Sequence, residues 1–148
     1  MNSQLCILAG ATLATGLAFA ADKPAKLSDL PSAVQKAIQE QTKGAEIKGL
    51  STETEKGKTL YEAETRLNGH GRDLLFDKTG ALVEVEEETT LDAIPAPARS
   101  AIQKKASGGK VLKVEVVTRG SSVSYEAEIE KNGKKSECAV KPDGAVSK

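Results

Sequence analysis

The 148-residue sequence has few of the residue types on which many functional sites depend. It contains no tryptophan, two tyrosines, two phenylalanines and a single histidine. Proteins that bind nucleic acid combine a basic surface with aromatic side chains that stack on bases. Four aromatic residues are too few for such a surface, so the composition argues against a nucleic-acid partner.

Long apolar runs are also scarce, and the one at the amino terminus is short. Residues Leu5 to Ala20 carry no charge and end in Ala18-Phe19-Ala20, the small-x-small pattern that precedes a secretory cleavage site. A transmembrane helix needs about 20 apolar residues, whereas Thr12 and Thr15 interrupt this run. We therefore predict a signal peptide over residues 1–20, a periplasmic or secreted product, and no stable membrane insertion after cleavage.

Cysteine is nearly absent from the product that would remain. Cys6 lies in the predicted signal peptide, which leaves Cys138 alone and makes an intrachain disulfide impossible. Cys138 corresponds to Leu74 in the internal repeat described below, which favours a small buried apolar side chain over a reactive thiol. A disulfide-linked dimer is the alternative.

The formal net charge is zero, but the two halves differ in sign. Residues 21–88 carry 10 basic and 14 acidic residues, and residues 89–148 carry 11 basic and 7 acidic residues. This asymmetry can steer a polar partner or align the halves.

An internal repeat with an offset of 64 residues organises the rest of the chain. Tyr61-Glu62-Ala63-Glu64 recurs unchanged as Tyr125-Glu126-Ala127-Glu128, and Asn68-Gly69 recurs as Asn132-Gly133. The repeat predicts two units, residues 21–88 and residues 89–148. One unit of this size would be only marginally stable by itself, so we expect the two to share a core.

Each unit is predicted to contain one helix and up to four strands. In the first unit, Ser28 or Asp29 can cap a helix with Pro31 in its first turn, and Leu30, Val34 and Ile38 recur at helical spacing. Strands follow near residues 47–52, 61–66, 72–77 and 82–88, with Asn68-Gly69 as a hairpin turn. The second unit repeats this order and ends in a short strand at residues 145–148.

These elements predict an α+β fold built from two tandem α-β-β-β-β repeats, in which an antiparallel sheet carries two helices on one face. The pattern leaves open whether the strands form one continuous sheet or two. The helices should cover the sheet face that carries Tyr61, Leu74, Phe76, Tyr125, Ile129 and Val140. The opposite face can remain in water, and we predict that it binds a partner through Glu62, Glu64, Arg66, Leu75, Glu126, Glu128, Glu130 and Lys141.

The candidate catalytic and metal-binding residues have simpler explanations. His70 lies in a predicted hairpin tip and lacks an oriented partner. Glu84, Glu86, Glu87 and Glu88 could attract a hard cation, but they also fit a solvated edge strand that resists aggregation. Paired carboxylates such as Glu62 and Glu64 catalyse reactions only in a cleft with shifted pKa values. We therefore expect no catalytic residue, no metal site and no cofactor.

Several short motifs resemble a known family. The patterns Leu30-Pro31-x-x-Val34-x-x-Ala37-Ile38, Tyr61-Glu62-Ala63 and Leu75-Phe76-Asp77-x-x-Gly80-x-Leu82 are similar to those of the PepSY-like family, which is grouped with the β-lactamase-inhibitor protein fold. The resemblance covers both repeats. It implies an exported bacterial domain with helices on one sheet face and a concave outer face that holds another protein. Some relatives restrain peptidases.

The chain departs from the inhibitor branch because it lacks paired cysteines and is poor in aromatic residues. Tyrosine and tryptophan usually anchor tight interfaces, so the composition argues against strong inhibition. No inhibitory residue can be transferred, because no motif position of that kind matches. The sequence favours an exported, non-catalytic module that binds a protein or peptide, including a peptidase or another enzyme as inhibitor or regulator. The alternative is a periplasmic protein that binds a small ligand or a cation near Glu84 to Glu88.

Overall fold

The strands of the protein form one continuous antiparallel sheet. The computed structural model describes residues 23–55 and 57–147, and the predicted signal peptide lies outside them. Within this range the sheet has eight strands, and their spatial order follows the chain from β1 to β8. The strands are β1 (Lys23–Pro24), β2 (Glu46–Glu55), β3 (Lys58–Leu67), β4 (His70–Phe76), β5 (Leu82–Thr89), β6 (Lys110–Arg119), β7 (Ser122–Lys131) and β8 (Lys134–Val140).

Two helices complete the fold, α1 (Ser32–Gln41) before β2 and α2 (Ala96–Ala106) before β6. The predicted α+β class, with an antiparallel sheet and two helices, is confirmed. The pairing of β5 with β6, from Val85 opposite Thr118 to Thr89 opposite Val114, joins the two halves. One sheet therefore runs through both.

Both helices pack on the same face of the sheet, which we call the helix face. Helix α1 buries Val34 and Ile38 against residues that include Leu74 and Phe76. Helix α2 buries Ala98 and Ile102 in a second cluster with Val114, Ala127 and Val140, against which Tyr125 packs. Ile129 is buried as well. The predicted helix-facing residues are therefore correctly assigned, and their apolar stripes supply the burial that stabilises the two layers.

The start of α1 differs from the expectation. Pro31 occupies the N-cap position without a side-chain cap, whereas Ser28 and Asp29 lie in a preceding 3-10 turn and hydrogen-bond to each other. The prediction that one of them caps α1 is wrong. An extended Pro31 separates them from the helix, and proline at the cap needs no hydrogen bond to its own nitrogen.

The turns follow the sequence signals closely. Asn68 and Gly69 have φ angles of 53° and 86°, and Asn132 and Gly133 have 54° and 73°, as expected for hairpin turns with two left-handed residues. Gly80 and Gly144 have a further role. A Cβ atom at Gly80 would lie 2.6 Å from the carbonyl oxygen of Ala33 on α1, and one at Gly144 would lie 2.7 Å from that of Pro97 on α2.

Two predictions about strands need correction. The acidic segment Glu84 to Glu88 was expected to form a solvated edge strand, but β5 lies between β4 and β6 in the interior of the sheet. The reason is that the chain returns after α2 and adds β6 to the edge that β5 would otherwise leave free. The expected last strand is reduced to one bridge, Val146 opposite Val140, among the described residues.

Candidate functional site

The candidate site is the sheet face opposite the helices, which we call the open face. Alternate residues of a strand point to opposite faces, and directly paired residues share a face. The pairs Glu62–Leu75, Leu75–Glu84 and Glu115–Glu126 therefore lie on the open face. Four more of the residues predicted to bind a partner can be placed in the same way, and of the eight only Lys141 falls outside the strands.

Two of the three predicted residues of β3, Glu62 and Arg66, have local hydrogen-bond partners. Glu62 accepts a hydrogen bond of 2.7 Å from the Ser51 hydroxyl, and Arg66 donates one of 2.7 Å to the carbonyl oxygen of Gly69. The carboxylate of Glu64 lies over Gly49, where an added Cβ atom would be 3.2 Å from it. Glu64 and Arg66 remain exposed, whereas Glu62 is half-buried.

The predicted residues of β7 differ in how much water they contact. Glu126 and Glu128 are half-buried, and Glu130 is exposed. The Lys135 ammonium lies 2.5 Å from the Glu128 carboxylate. Lys141 follows β8 in a turn closed by its own backbone N–H, which donates to the carbonyl oxygen of Ala145 at 2.8 Å. It is exposed, at the end of the sheet.

The two predicted glutamate groups do not form one patch. Strands β3 and β7 are separated by β4, β5 and β6, so four strand spacings of about 4.8 Å place them about 19 Å apart. The residues that fill this distance are mainly ones that the sequence did not assign to the site. They decide the character of the face.

The centre of the open face is less wet than expected. Leu75 is 4% exposed and Val117 is 1% exposed, although neither helix covers this side. Leu75 is flanked by Glu62 and Glu84, and Val117 by Glu86. Long side chains can cover apolar neighbours with their methylene groups while their charged ends reach water. Leu75 is therefore a buried floor residue and not an exposed contact.

Five carboxylates from four strands meet above this apolar floor, and we call them the central carboxylates: Asp73, Glu84, Glu86, Glu115 and Glu126. Glu84 is 3% exposed, and Arg119 donates to both of its oxygens, from Nε and, at 3.1 Å, from Nη2. Lys113 lies 2.6 Å from the carboxylate of Glu115. The salt bridges of the described residues provide no such partner for Glu86.

Burial and the charges of neighbouring carboxylates raise the pKa values of three of the central carboxylates, Glu86, Glu126 and Asp73. The pKa of Glu86 rises to about 9, first through burial and then through its hydrogen bond with Glu84 and the charges of Glu126 and Glu115. The pKa of Glu126 rises to about 7 through burial and the charge of Glu84, against the opposing effect of Arg119. The pKa of Asp73 also rises, mainly by burial. Neighbouring carboxylates that cannot all ionise share protons.

Three of the central carboxylates are close enough to be considered as a cation site. Asp73, Glu86 and Glu115 each offer one oxygen, and the three oxygens lie within 4.8 Å of one another. Calcium takes six to eight oxygen ligands, and the Lys113 ammonium already neutralises Glu115. The residues present satisfy only part of the requirement of such an ion.

A shallow depression lies beside the central carboxylates. Its volume is about 390 Å³, and it is lined by Lys48, Glu64, Thr65, Arg66, Gly71, Asp73, Glu88, Leu112 and Lys113. The backbone N–H of Gly71 donates to Glu88 at 3.0 Å, and Leu112 is 37% exposed. The lining carries acidic and basic side chains in equal number, with Leu112 as its apolar part.

Across strands β3 to β8, the open face has an excess of acid. The pairing registers place six basic residues on it, Lys58, Arg66, Lys110, Lys113, Arg119 and Lys135. They place eleven acidic residues there, Glu62, Glu64, Asp73, Glu84, Glu86, Glu88, Glu115, Glu126, Glu128, Glu130 and Glu137. A chain with no net charge thus has one strongly acidic face.

Sequence reasoning named Glu126, Glu84 and Glu86 separately but missed Asp73, Glu115 and the grouping of all five, because these residues come together only in the sheet. The segment Glu84 to Glu88 was noticed, but alternation along a strand does not show which strand lies beside it. One signal was available: Asp73 lies two residues before Leu75, so both must share a face. His70, at the start of β4, is exposed in the hairpin as expected.

Comparison with known proteins supports the fold. No protein-family model matches the chain, and no curated protein matches it in sequence. A periplasmic protein of Bacteroides eggerthii DSM 20697 has a similar crystal structure, with 23% identity and a TM-score of 0.63 over 80% of this chain and 86% of that one. A DUF2874 family protein of Bacteroides uniformis ATCC 8492 has 22% identity and a TM-score of 0.61 over 80% and 86%.

A third similar structure is a BLIP-like protein of Bacteroides fragilis NCTC 9343, with 19% identity and a TM-score of 0.55 over 80% of this chain and 84% of that one. The fold of this chain is accordingly BLIP-like. The expected periplasmic or secreted location agrees with the periplasmic description of the first neighbour. Among the described residues, neither α1 nor α2 is long and apolar enough to cross a membrane.

Proposed function

We propose that the protein is an exported, non-catalytic binding module that holds a protein or peptide on its open face. The observation that carries this proposal is the asymmetry of the two layers. Both helices lie on one face, and the other face presents strands β2 to β8 without a covering element in the described residues. An uncovered antiparallel sheet face of this width offers a continuous contact surface.

The composition of the open face determines how it would bind. The tyrosines and Phe76 pack on the helix face, so the open face of the described strands has no aromatic anchor. Interfaces rich in charge gain specificity and association rate from electrostatic complementarity more than affinity. We therefore propose a partner held mainly by charged contacts, with binding that weakens as salt is added.

The kind of partner follows from the resemblance and the fold together. The PepSY-like motifs are similar to those of a family in which some members restrain peptidases, and the BLIP-like fold is consistent with a protein partner. We propose that the protein is an inhibitor or regulator. We also propose that its fold arose from a tandem repeat. Matching geometry supports that origin: β2 has a bulge between Ile47 and Gly49, and β6 has one between Val111 and Lys113, 64 residues later.

Site-specific photo-crosslinking tests the proposal. A crosslinking amino acid placed at Glu64 or Glu130, both exposed on the open face, should capture a partner in a periplasmic extract, and the captured protein should then bind the purified chain. The matched positions on the helix surface, Lys36 and Lys104, are also exposed. Capture from those positions alone, or no capture from the open face, would contradict the proposal.

The cation-binding alternative stays a prediction. It has in its favour the three close oxygens of Asp73, Glu86 and Glu115, and against it the pairing of Lys113 with Glu115 and the small ligand number. Calorimetry with calcium and with zinc distinguishes the alternatives. Absence of heat at millimolar ion would exclude the cation hypothesis. Heat of ion binding that is lost in Glu86→Gln would instead favour a cation as the ligand over a protein partner.

A further inference from the structure

We propose that the open face recognises a positively charged segment of its partner, with a lysine or arginine side chain placed among the central carboxylates. This inference rests on the proposed function and specifies the partner's chemistry. Its first support is the charge on the face, where eleven acidic residues lie with six basic ones. A cationic segment is complementary to this face, and an acidic one is repelled.

The excess of acid is not neutralised from within the described chain. Arg119 forms a salt bridge with Glu84, and Lys113 forms one with Glu115. Glu86 then faces Glu84 and Glu88 on its own strand, Asp73 on β4, Glu115 and Lys113 on β6, and Glu126 on β7. Five carboxylates thus share two internal cations. A third cation supplied by a partner would meet oxygens that already lie within 4.8 Å of one another.

A lysine or arginine side chain suits this position better than a bare metal ion. Its apolar stem can lie along the methylene groups of the side chains that cover Leu75 and Val117, while its charged end reaches the carboxylates. Arginine can also bind carboxylates through two parallel hydrogen bonds, as Arg119 already does with Glu84. The internal pair therefore shows the geometry that a guest arginine would copy.

When no partner side chain is bound, protons on Glu86 and Glu126 reduce the repulsion among the central carboxylates. Burial and neighbouring charges keep Glu86 protonated at neutral pH, and Glu126 partly so, because their pKa values are about 9 and about 7. A guest cation favours the ionised forms. Binding should therefore release protons, and the affinity for the cationic segment should rise as the pH increases from 6 to 9.

Titration with synthetic peptides tests the inference. The probes are a lysine-serine decapeptide, an arginine-serine decapeptide and a glutamate-serine decapeptide. The binding of each peptide is measured by calorimetry in phosphate buffer and in Tris buffer. We expect the two basic peptides to bind and the acidic peptide to fail. We also expect the apparent heat to differ between the buffers, because protons are released, and the affinity to grow about tenfold or more from pH 6 to pH 9.

Matched variants locate the contact. Glu86→Gln with Glu126→Gln should remove the buffer dependence and weaken the basic peptides at least tenfold, whereas Glu40→Gln on exposed α1 should change neither. Glu64→Lys with Glu130→Lys alters only exposed side chains, so it tests the face in a folded protein even if the first pair destabilises the fold. It should weaken the basic peptides and spare folding, as circular dichroism would show.

The outcomes separate this inference from the proposed function. Equal binding of acidic and basic peptides, or basic binding that both pairs of variants leave unchanged, overturns the inference. If calcium binds with Glu86-dependent heat while the peptides do not, the site takes an ion and the inference is again wrong. An open-face crosslink to an acidic or neutral partner overturns only the inference, whereas absence of any open-face crosslink overturns the proposed function as well.

Discussion

Arg119 on β6 forms a salt bridge with Glu84 on β5, and this pair spans the boundary between the two halves of the sequence. The guanidinium donates to both carboxylate oxygens of Glu84, whose side chain is 2% exposed, while that of Arg119 is 43% exposed. The pair ties the halves together in the interior of the sheet. It also supplies one of the two internal cations that the central carboxylates share.

Removing Arg119 should therefore destabilise the fold. We expect Arg119→Leu to lower the free energy of unfolding by about 2–4 kcal/mol, since a buried carboxylate would lose its partner; the exposure of Arg119 places the loss below that of a fully buried pair. Urea unfolding at pH 7 measures it. The double variant Glu84→Gln with Arg119→Leu should lose less than the sum of the single variants, and simple additivity would show that the pair is not coupled.

The raised pKa of Glu86 predicts how stability depends on pH. The folded protein keeps the Glu86 proton up to about pH 9, whereas the unfolded chain releases it near 4.5. The folded state thus binds more protons between these values, so the free energy of unfolding falls as the pH rises. Glu126 adds to this fall up to about pH 7.

Glu86→Gln should flatten this dependence. One proton corresponds to about 1.4 kcal/mol per pH unit. Between pH 5 and pH 9 the free energy of unfolding of the variant should therefore fall less steeply than that of the parent, by up to this amount per pH unit, and the variant should be the more stable protein at the alkaline end. Glu130→Gln, at an exposed position of the same face, is the control and should keep the slope of the parent. Parallel curves for the parent and Glu86→Gln would refute the assignment.

Gly80 and Gly144 should tolerate no side chain. Gly80→Ala and Gly144→Ala combine a left-handed φ with a Cβ atom 2.6 or 2.7 Å from a helix carbonyl oxygen. We expect each to lower the free energy of unfolding by about 3 kcal/mol or more. Gly69→Ala has a similar φ of +86° and open space around it, so it should lose only about 1–2 kcal/mol. Equal losses at all three positions would remove the role given to the helix contacts.

Ile38 and Ile102 test whether the two halves unfold together. Both are fully buried, one on the inner side of each helix, and either isoleucine-to-alanine variant should lower the free energy of unfolding by about 2–5 kcal/mol. Because β5 and β6 make one sheet of the two halves, each variant should shift a single thermal transition. Two separate transitions, with each variant moving only one of them, would show instead that the halves unfold independently.

Much of the fold could be predicted from local residue patterns. The asparagine-glycine pairs set the hairpins, because few other residues accept two left-handed φ angles in succession. The alternation around Tyr61 and Tyr125 identified the helix face, since a period of two divides a strand between core and solvent. The cap of α1 was assigned wrongly to Ser28 or Asp29, because these residue types commonly cap helices and local signals do not show that Pro31 takes the cap position instead.

The candidate site was only partly predictable. Glu62, Glu64, Glu126 and Glu128 were placed on the correct face, but the sequence treated them as the site itself. Periodicity gives the face of a residue within its own strand. It does not give the neighbour of that strand, and β5 became interior only when α2 returned the chain to its free edge.

The amino-acid sequence alone determined the identity of the elements, the two helix stripes and the sidedness of each strand, because these depend on residues a few positions apart. Tertiary structure alone decided that Glu84, Glu86 and Glu126 meet Asp73 and Glu115 over a buried Leu75 and Val117. These contacts depend on the order and register of strands that are far apart in the sequence. Burial beside other carboxylates is what raises the pKa values of Glu86 and Glu126.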